Sequence, residues 1–285
     1  MPEAVLCGLI GAGIQRSLAP ALHEEEARHH GLRLHYQLID LASSGVGIKA
    51  LPGLLQAARI IGFRGLNITF PCKQSVIPLL DALSEEARTI GAVNTVVREG
   101  ARLVGHNTDA SGWSWGFRRA LPRADLSRVL LLGAGGAGAA CAHAVLGLDA
   151  ERLVVVDQDP GRAAALVERL KRRFPKNRAS VAADALTEVH AATGLIQATP
   201  VGMDQHPGTP LAEAHLRSAM WVSEIVYVPL ETPLLKAARR IGCATADGGH
   251  MNVGQALGAF KLFTGREADP ARMEAHFRRL ILSRS

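Results

Sequence analysis

The chain has few aromatic residues, with seven Phe, three Trp and two Tyr making up 4% of its 285 residues. Cysteine is scarce as well. The four present, Cys7, Cys72, Cys141 and Cys243, form no CxxC pair and no metal-ligand spacing. They read as reduced, mostly buried thiols, which fits a cytoplasmic protein. No apolar run approaches the ~20 residues of a membrane-spanning helix. The opening MPEAVLCGLIGAG has no basic segment and leads straight into strand-like sequence, so no signal peptide is expected. There is no internal repeat and no low-complexity linker.

What the chain does have is 48% hydrophobic residues dominated by Ala, Val, Leu and Gly, ample for a core, and a length suited to one large or two ordinary domains. The net charge is +6, and the densest basic run is Arg169, Lys171, Arg172, Arg173, Lys176 and Arg178. Cations suit the last turn of a helix, and Phe174 is the single aromatic interleaved for base stacking. The run therefore reads as a solvated helix end, with no nucleic-acid partner expected. HEEEARHH at 23–30 lacks HExxH spacing because position 27 is Ala, so an exposed helix face is expected and no metal.

Strand and helix patterns alternate along the chain. Strands are expected at 5–10, 34–41 and 64–69, helices at 20–31 and 47–61, and helical segments through KQSVIPLL (73–80) and SEEARTI (84–90). AVNTVV and RLVGHN form a strand pair around the turn REG, and ASGWSWGFRRAL begins a connecting helix. From 128 onward strands and helices alternate again, and the last 35 residues are mostly helical. Such alternation predicts an α/β fold with parallel sheet covered by helices. Two domains are expected. An α/β domain spans 1–110 and is completed by C-terminal helices at 248–285. A Rossmann-like domain spans 111–247.

The Rossmann expectation rests on residues 130–157, LLLGAGGAGAACAHAVLGLDAERLVVVD. An apolar strand runs into Gly133, Ala134, Gly135, Gly136, Ala137 and Gly138. An alanine-rich helix follows, then a second apolar strand ending at Asp157. Gly133 permits the tight turn, Gly135 lets backbone approach a pyrophosphate, and Gly138 lets helix pack on strand. The free N–H groups of the helix N-terminus face the phosphates. A carboxylate at position 157 accepts from ribose hydroxyls and repels a 2′-phosphate, which favours NAD over NADP. Asp159 sharpens that preference. Arg162, one turn into the next helix, is the counter-argument. The positive net charge suits a protein that handles anions. An earlier GLIGAG (8–13) follows a strand, but Arg16 occupies the expected third glycine position. It reads as a substrate loop and not as a second cofactor site.

Three polar clusters fall at strand ends in the first domain. They are Ser17–Pro20, Asn67–Lys73, and Gly91–Thr95 with His106–Asp109. They supply hydroxyls and amides for a polyol, and a Lys and an Asp for proton transfer. Lys73 falls at an expected helix start, whose positive end disfavours an ammonium.

These segments resemble the shikimate dehydrogenase family, and in particular its NAD-preferring quinate/shikimate branch. The resemblance spans S-L-x-P, N-I-T-x-P-x-K, G-A-V-N-T, G-x-N-T-D, GAGGAG, A-T-P-x-G-M at 198–203, V-Y-x-P at 226–229 and D-G-x-x-M…Q-A at 247–256. It implies a dehydrogenase that moves hydride between a secondary alcohol of shikimate, quinate or a close relative and NAD, as a monomer or homodimer. It implies Lys73 and Asp109 as the catalytic pair, and Ser17, Thr69, Asn94, Tyr227 and Gln255 at the substrate. It implies Thr199, Pro200, Val226 and Met251 at the cofactor beside the glycine loop, Asp157 and Arg162.

Three positions depart from the family pattern. Ala19 stands where the family usually has Ser or Thr, removing one hydroxyl from carboxylate recognition. His250 replaces a common Gly, and Gln197 replaces a common Asn with little expected effect. An aminoshikimate dehydrogenase-like enzyme fits Ala19 as an alternative. A non-catalytic dinucleotide-binding regulator is a further one, against which both Lys73 and Asp109 count.

Overall fold

The computed structural model describes residues 3–175 and 177–283, so Lys176 of the basic run lies outside the described residues. The chain divides into two compact units, Met1–Thr108 with Gln255–Ser285, and Asp109–Gly254. In chain order the elements are β1 (Ala4–Gly11), α1 (Ala19–His29), β2 (Arg33–Asp40), α2 (Leu51–Ile61), β3 (Gly65–Ile68), β4 (Ala82–Leu83), α3 (Glu85–Ile90), β5 (Thr95–Glu99) and β6 (Arg102–His106). They continue with α4 (Asp109–Ala120), β7 (Val129–Leu132), α5 (Gly136–Gly147), β8 (Leu153–Val156), α6 (Pro160–Arg173), β9 (Ala179–Val181), α7 (Ala185–Val189), β10 (Gly194–Gln197), β11 (Trp221–Glu224), α8 (Pro233–Ile241) and β12 (Ala244–Ala246). The division of units falls inside α9 (Gly248–Thr264), and α10 (Pro270–Leu282) ends the chain.

The first unit has a six-stranded sheet in the order β2-β1-β3-β5-β6-β4. All pairs are parallel except those of β5, which runs against both its neighbours. The reversal has a consequence. Asn67 near the end of β3 pairs Thr95 at the start of β5, which pairs His106 at the end of β6. The loops after β1, β3 and β6 and the loop before β5 therefore leave from one end of the sheet. One face packs Ile10, Leu66, Ile68 and Val96 against Leu51, Leu55 and Ala58 of α2. The other packs Val5, Cys7, Leu9 and Tyr36 against Ala259 and Phe263 of α9. Gly65 is the only residue type that fits under that ring, since a Cβ there would lie 2.5 Å from Phe263.

Two sequence expectations fail in this unit. Residues 73–80 are not an α-helix but turns and a short 3-10 helix at Ile77–Leu79. The apolar spacing of Val76, Ile77, Leu79 and Leu80 mimics a helix. Pro78, however, has no N–H, and its ring clashes with a carbonyl four residues back. The second failure is the HEEEARHH face, which is not simply exposed. His23 and Glu26 are buried, and Arg28 and His29 are the exposed members.

The sheet of the second unit is wholly parallel in the order β12-β11-β10-β7-β8-β9. The order reverses between β7 and β10, which is the doubly wound arrangement with its switch point at the carboxyl ends of those strands. VLLL of β7 and LVV of β8 are buried, as expected of strands covered on both faces. Trp113 and Phe117 of α4 stack with centroids 4.5 Å apart, and Phe117 meets Trp221 edge-on at 4.9 Å. Trp113, Phe117 and Trp221 thus form an aromatic cluster at β11. α4 and the first turns of α9 approach closely through small residues, because a Cβ on Gly254 would lie 2.3 Å from the Gly112 carbonyl. His250 is half-buried with its backbone against Gly116. The basic residues Lys171, Arg172 and Arg173 occupy the last turn of α6.

Candidate functional site

In the first unit the polar clusters collect at the sheet end defined by β5. Thr69 follows β3, and its methyl takes the space a Cβ on Gly11 would fill, 2.3 Å away. The Thr69 N–H donates to the Ile10 carbonyl at 2.9 Å, so β1 and β3 stay in register beyond the sheet. Asn94 is buried and holds Thr108 through two bonds. Its Nδ2 donates to Thr108 Oγ1 at 2.9 Å, and its Oδ1 accepts from the Thr108 N–H at 2.8 Å. Thr108 Oγ1 in turn donates to the Gln255 carbonyl at 3.0 Å. Tyr36 donates to Asn67 Oδ1 at 2.6 Å, and Asn67 donates to Thr95 Oγ1 at 3.0 Å. This end of the unit is therefore a buried, mutually hydrogen-bonded polar network.

Lys73 is half-buried, and its carbonyl accepts from the Val93 N–H at 2.9 Å, which ties it beside Asn94. No α-helix begins at Lys73, so the helix-terminus effect expected there is absent. Ser17 precedes α1, and its Oγ accepts from the Ala19 N–H at 3.2 Å. Ser17, Thr69, Lys73, Asn94 and Gln255 thus all belong to the first unit.

The rival loop after β1 is filled by the protein's own carboxylate. Asp40, at the end of β2 and 3% exposed, accepts from Gly13 N–H at 2.9 Å and Ile14 N–H at 3.0 Å. Burial pushes the Asp40 carboxyl up, but donors from Gly13, Ala42, Gln15 and Ile14 outweigh it and hold it below its ordinary range. An anion is already built in where a phosphate would have to sit.

The glycine loop of the second unit differs. Gly133 has φ +97°, and a Cβ there would lie 2.7 Å from the Ala198 carbonyl. A Cβ on Gly138 would lie 2.0 Å from the Gly133 carbonyl. Both are required by the fold itself. Gly135 is not, since its φ is −71° and ψ −170°, and a Cβ would meet nothing within 4 Å. Any residue could take that backbone, so the open space beside the N-terminus of α5 suits a ligand group rather than packing. Gly136 and Ala137 begin α5, half-buried.

Asp157, half-buried at the end of β8, accepts from the Ala134 N–H at 2.6 Å and the Asp159 N–H at 2.9 Å. Asp159 itself caps α6 by accepting from Gly161 and Arg162 N–H groups at 2.9 and 3.2 Å. One Asp159 oxygen is thus engaged in capping α6, and the carboxylate keeps its charge beside Asp157. Arg162 lies in the first turn of α6 and is exposed.

Thr199 is half-buried and Pro200 exposed in the loop after β10, on the far side of the switch point. Val226 and Met251 are buried, and Tyr227 is half-buried in the loop after β11. Asp109 is buried as the first residue of α4, where a carboxylate suits the helix dipole.

Two residues passed over or discounted in the sequence prove central. Gln197, fully buried, donates from Nε2 to Thr199 Oγ1 at 2.8 Å and to the Val201 carbonyl at 2.9 Å. It holds the loop that carries Thr199 and Pro200. Glu224, 1% exposed, accepts from Val226 N–H and Thr232 Oγ1, each at 3.0 Å. The only signal for either was a long polar residue closing an otherwise apolar strand. Among the described residues no three His, Cys, Asp or Glu gather as a metal site, and no helix is long and apolar enough to cross a membrane.

Comparisons with known proteins agree with this geometry. Residues 9–96 match the family model described as the shikimate dehydrogenase substrate binding domain. A shikimate dehydrogenase (NADP(+)) of Streptomyces avermitilis is 56% identical over 275 residues, 96% of this chain and 94% of that one. A quinate/shikimate dehydrogenase (NAD(+)) of Corynebacterium glutamicum is 45% identical, covering 97% of this chain and 99% of that one. Among solved structures, quinate dehydrogenase from Corynebacterium glutamicum in complex with NAD superposes with a TM-score of 0.90 at 43% identity, covering 97% and 99% of the two chains. A shikimate 5-dehydrogenase from Thermus thermophilus in complex with NADP(H) and shikimate gives 0.84 at 34% identity, with the same coverage. The chain belongs to the shikimate dehydrogenase family.

Proposed function

We propose that the protein is a cytoplasmic dehydrogenase that prefers NAD over NADP and acts on shikimate, quinate or a close cyclic hydroxy acid. The observation that carries the cofactor preference is the pinned Asp157 carboxylate, held by Ala134 N–H and by the Asp159 backbone at the end of β8. A fixed negative charge there accepts from ribose hydroxyls and repels a 2′-phosphate. The relatives divide on this point. The Streptomyces enzyme is named for NADP and the Corynebacterium enzyme for NAD, so the preference rests on this chain's own carboxylate.

A nicotinamide dinucleotide, when bound, supplies the hydride acceptor. The space at Gly135 and the free N–H groups opening α5 would hold its pyrophosphate, with Thr199, Pro200, Val226 and Met251 lining the same unit. Lys73 takes the hydroxyl proton as the alcohol is oxidised and returns it in reduction, and Asp109 is the second acid–base residue. Ser17, Thr69, Asn94, Tyr227 and Gln255 bind the hydroxyl and carboxylate groups of the substrate. The two units are the substrate and cofactor domains.

Steady-state kinetics test this reading. kcat/KM with NAD is expected to exceed that with NADP at least tenfold, a difference of about 1.4 kcal/mol. Asp157→Ala narrows the gap by harming NAD more than NADP. Equal or better turnover of the wild type with NADP+ would reject the preference. Lys73→Ala is expected to lower kcat by about 10²–10⁴ with cofactor KM nearly unchanged, and retention of more than a tenth of kcat would remove Lys73 from the chemistry.

A further inference from the structure

We propose that Glu224 is a positioning residue, whose carboxylate fixes the loop 225–232 and thereby sets where Val226 and Tyr227 stand. The inference rests on the dehydrogenase reading for the roles of those two residues. It rests on the structure for everything else.

Gln197 and Glu224 are register partners at the ends of the neighbouring strands β10 and β11. Each is buried, and each turns back to hold the loop that follows its own strand. The two loops also meet, since Gly202 stands with Thr232 at van der Waals distance from where its Cβ would be. The loop from β11 is gripped at both ends. One Glu224 oxygen accepts from the Val226 N–H at its start. The other accepts from the hydroxyl of Thr232 at its finish. Thr232 Oγ1 accepts from the Leu235 N–H as the N-cap of α8, which leaves its proton for Glu224. Tyr227 lies between the two grips. A Cβ on Gly248, at the start of α9, would lie 2.3 Å from the Val226 carbonyl, so the held loop is also where that helix closes in.

The choice of a carboxylate is informative. Burial pushes Glu224 up to about 8, although Val226, Thr232 and Ile225 all donate to it. A neutral amide does the equivalent work at Gln197 without that cost. Glu224 meets Val226 N–H with one oxygen and Thr232 Oγ1 with the other, and its ionised form, dominant above about pH 8, accepts at both.

Three variants of the full chain test the proposal: Glu224→Gln, Tyr227→Phe and the double variant. Glu224→Gln is expected to raise the KM values for shikimate or quinate and for NAD three- to tenfold, with kcat within threefold of wild type. Tyr227→Phe should cost less than half as much in the Gln background as in wild type, because Tyr227 is already misplaced there. Equal costs in both backgrounds, or KM values within twofold of wild type, overturn the proposal. Amide hydrogen exchange gives a readout independent of turnover. Exchange across 225–232 should accelerate at least tenfold in Glu224→Gln while α5 is unaffected, and unchanged exchange overturns the proposal. Thr232→Val removes the donor from the other side, and should reproduce the KM rise even if Glu224→Gln fails to fold. A wild type that turns over none of the substrates sinks the dehydrogenase reading alone, because exchange still decides the role of Glu224.

Discussion

His23 has no exposed surface, and its ring stacks on Tyr36 at 5.0 Å with Phe260 and Phe263 around it. Neither ring nitrogen has a hydrogen-bond partner among the described residues. Burial pulls His23 down to about 4, only partly opposed by the nearby Glu26 charge. The fold therefore holds the neutral ring, while the unfolded chain begins to bind its proton at about 6.5. Stability is full above that value and declines as pH falls from about 6.5 towards 4, by roughly 3 kcal/mol in the limit of complete burial. His23→Phe keeps the stack, removes two unsatisfied nitrogens and should flatten that part of the pH–stability curve while raising Tm at neutral pH. Denaturant titrations at pH 7.5, 6 and 5 read it, and an unchanged pH dependence would refute the account. Nothing in HEEEARHH separates an inward His from an outward one. Which face α1 buries is set by the ring packing of Tyr36, Phe260 and Phe263, and two of those three lie more than two hundred positions away. The same holds for Asp40 and Asp157. Both close a second strand and accept from the loop after the first, yet only the structure shows that Asp40 fills its loop and Asp157 stays half-open.

Elements explain which parts of the site were legible. The run from β7 through α5 to β8 is local, and its glycine spacing, helix composition and terminal Asp all lie within about thirty residues of sequence. The three glycines nevertheless do different work, and that difference is testable. Gly133→Ala and Gly138→Ala force a Cβ against carbonyl oxygens at 2.7 and 2.0 Å, so both should destabilise the unit. Gly135→Ala meets nothing and keeps an allowed backbone, so the protein should be as stable as wild type or gain up to about 1 kcal/mol. On the proposed function its KM for NAD should nonetheless rise at least tenfold, because the methyl would enter the space proposed to hold the pyrophosphate. Thermal melts beside cofactor titrations separate the two effects, and an unaltered KM in Gly135→Ala would show that the space is not used. The illegible elements are the ones without local pattern. Residues 73–80 carry helical apolar spacing broken by one proline, and β4 is two residues long, defined only by its pairing with β6. Gln197 and Glu224 act across neighbouring strands, and no periodicity announces that.

At the scale of the whole chain, the C-terminal segment Gln255–Ser285 belongs to the first unit. Phe260 and Phe263 of α9 enter its core, and α10 is fastened to α1 by Glu26. That carboxylate is 2% exposed. It accepts from Arg272 Nε and Nη2 at 2.7 and 2.6 Å and from the Asp269 N–H at 2.8 Å. Burial pushes Glu26 up, but Arg272, Asp269 and His30 outweigh it and leave it below its ordinary range. A carboxyl held low stabilises the fold above its unfolded value and gives that stability up as pH falls through its folded value. The clamp therefore survives the range in which His23 is lost and fails below the ordinary carboxylate range. The acid limb of stability should accordingly have two parts, an upper one from His23 and a lower one from Glu26. Glu26→Ala leaves Arg272 facing a partly buried position without its partner and should cost about 3 kcal/mol at neutral pH, at the low end for a buried pair because Arg272 keeps some solvent. It should also shrink the lower part of the acid limb, to which Asp40 contributes as well, and leave the upper part, the reverse of His23→Phe. Amides of α10 should lose protection from exchange before those of β1 and β3, since α10 depends on the clamp and the strands are held by their own pairing. If Glu26→Ala leaves Tm within a degree of wild type, or removes the upper part of the limb, the carboxylate is not what fastens the end of the chain.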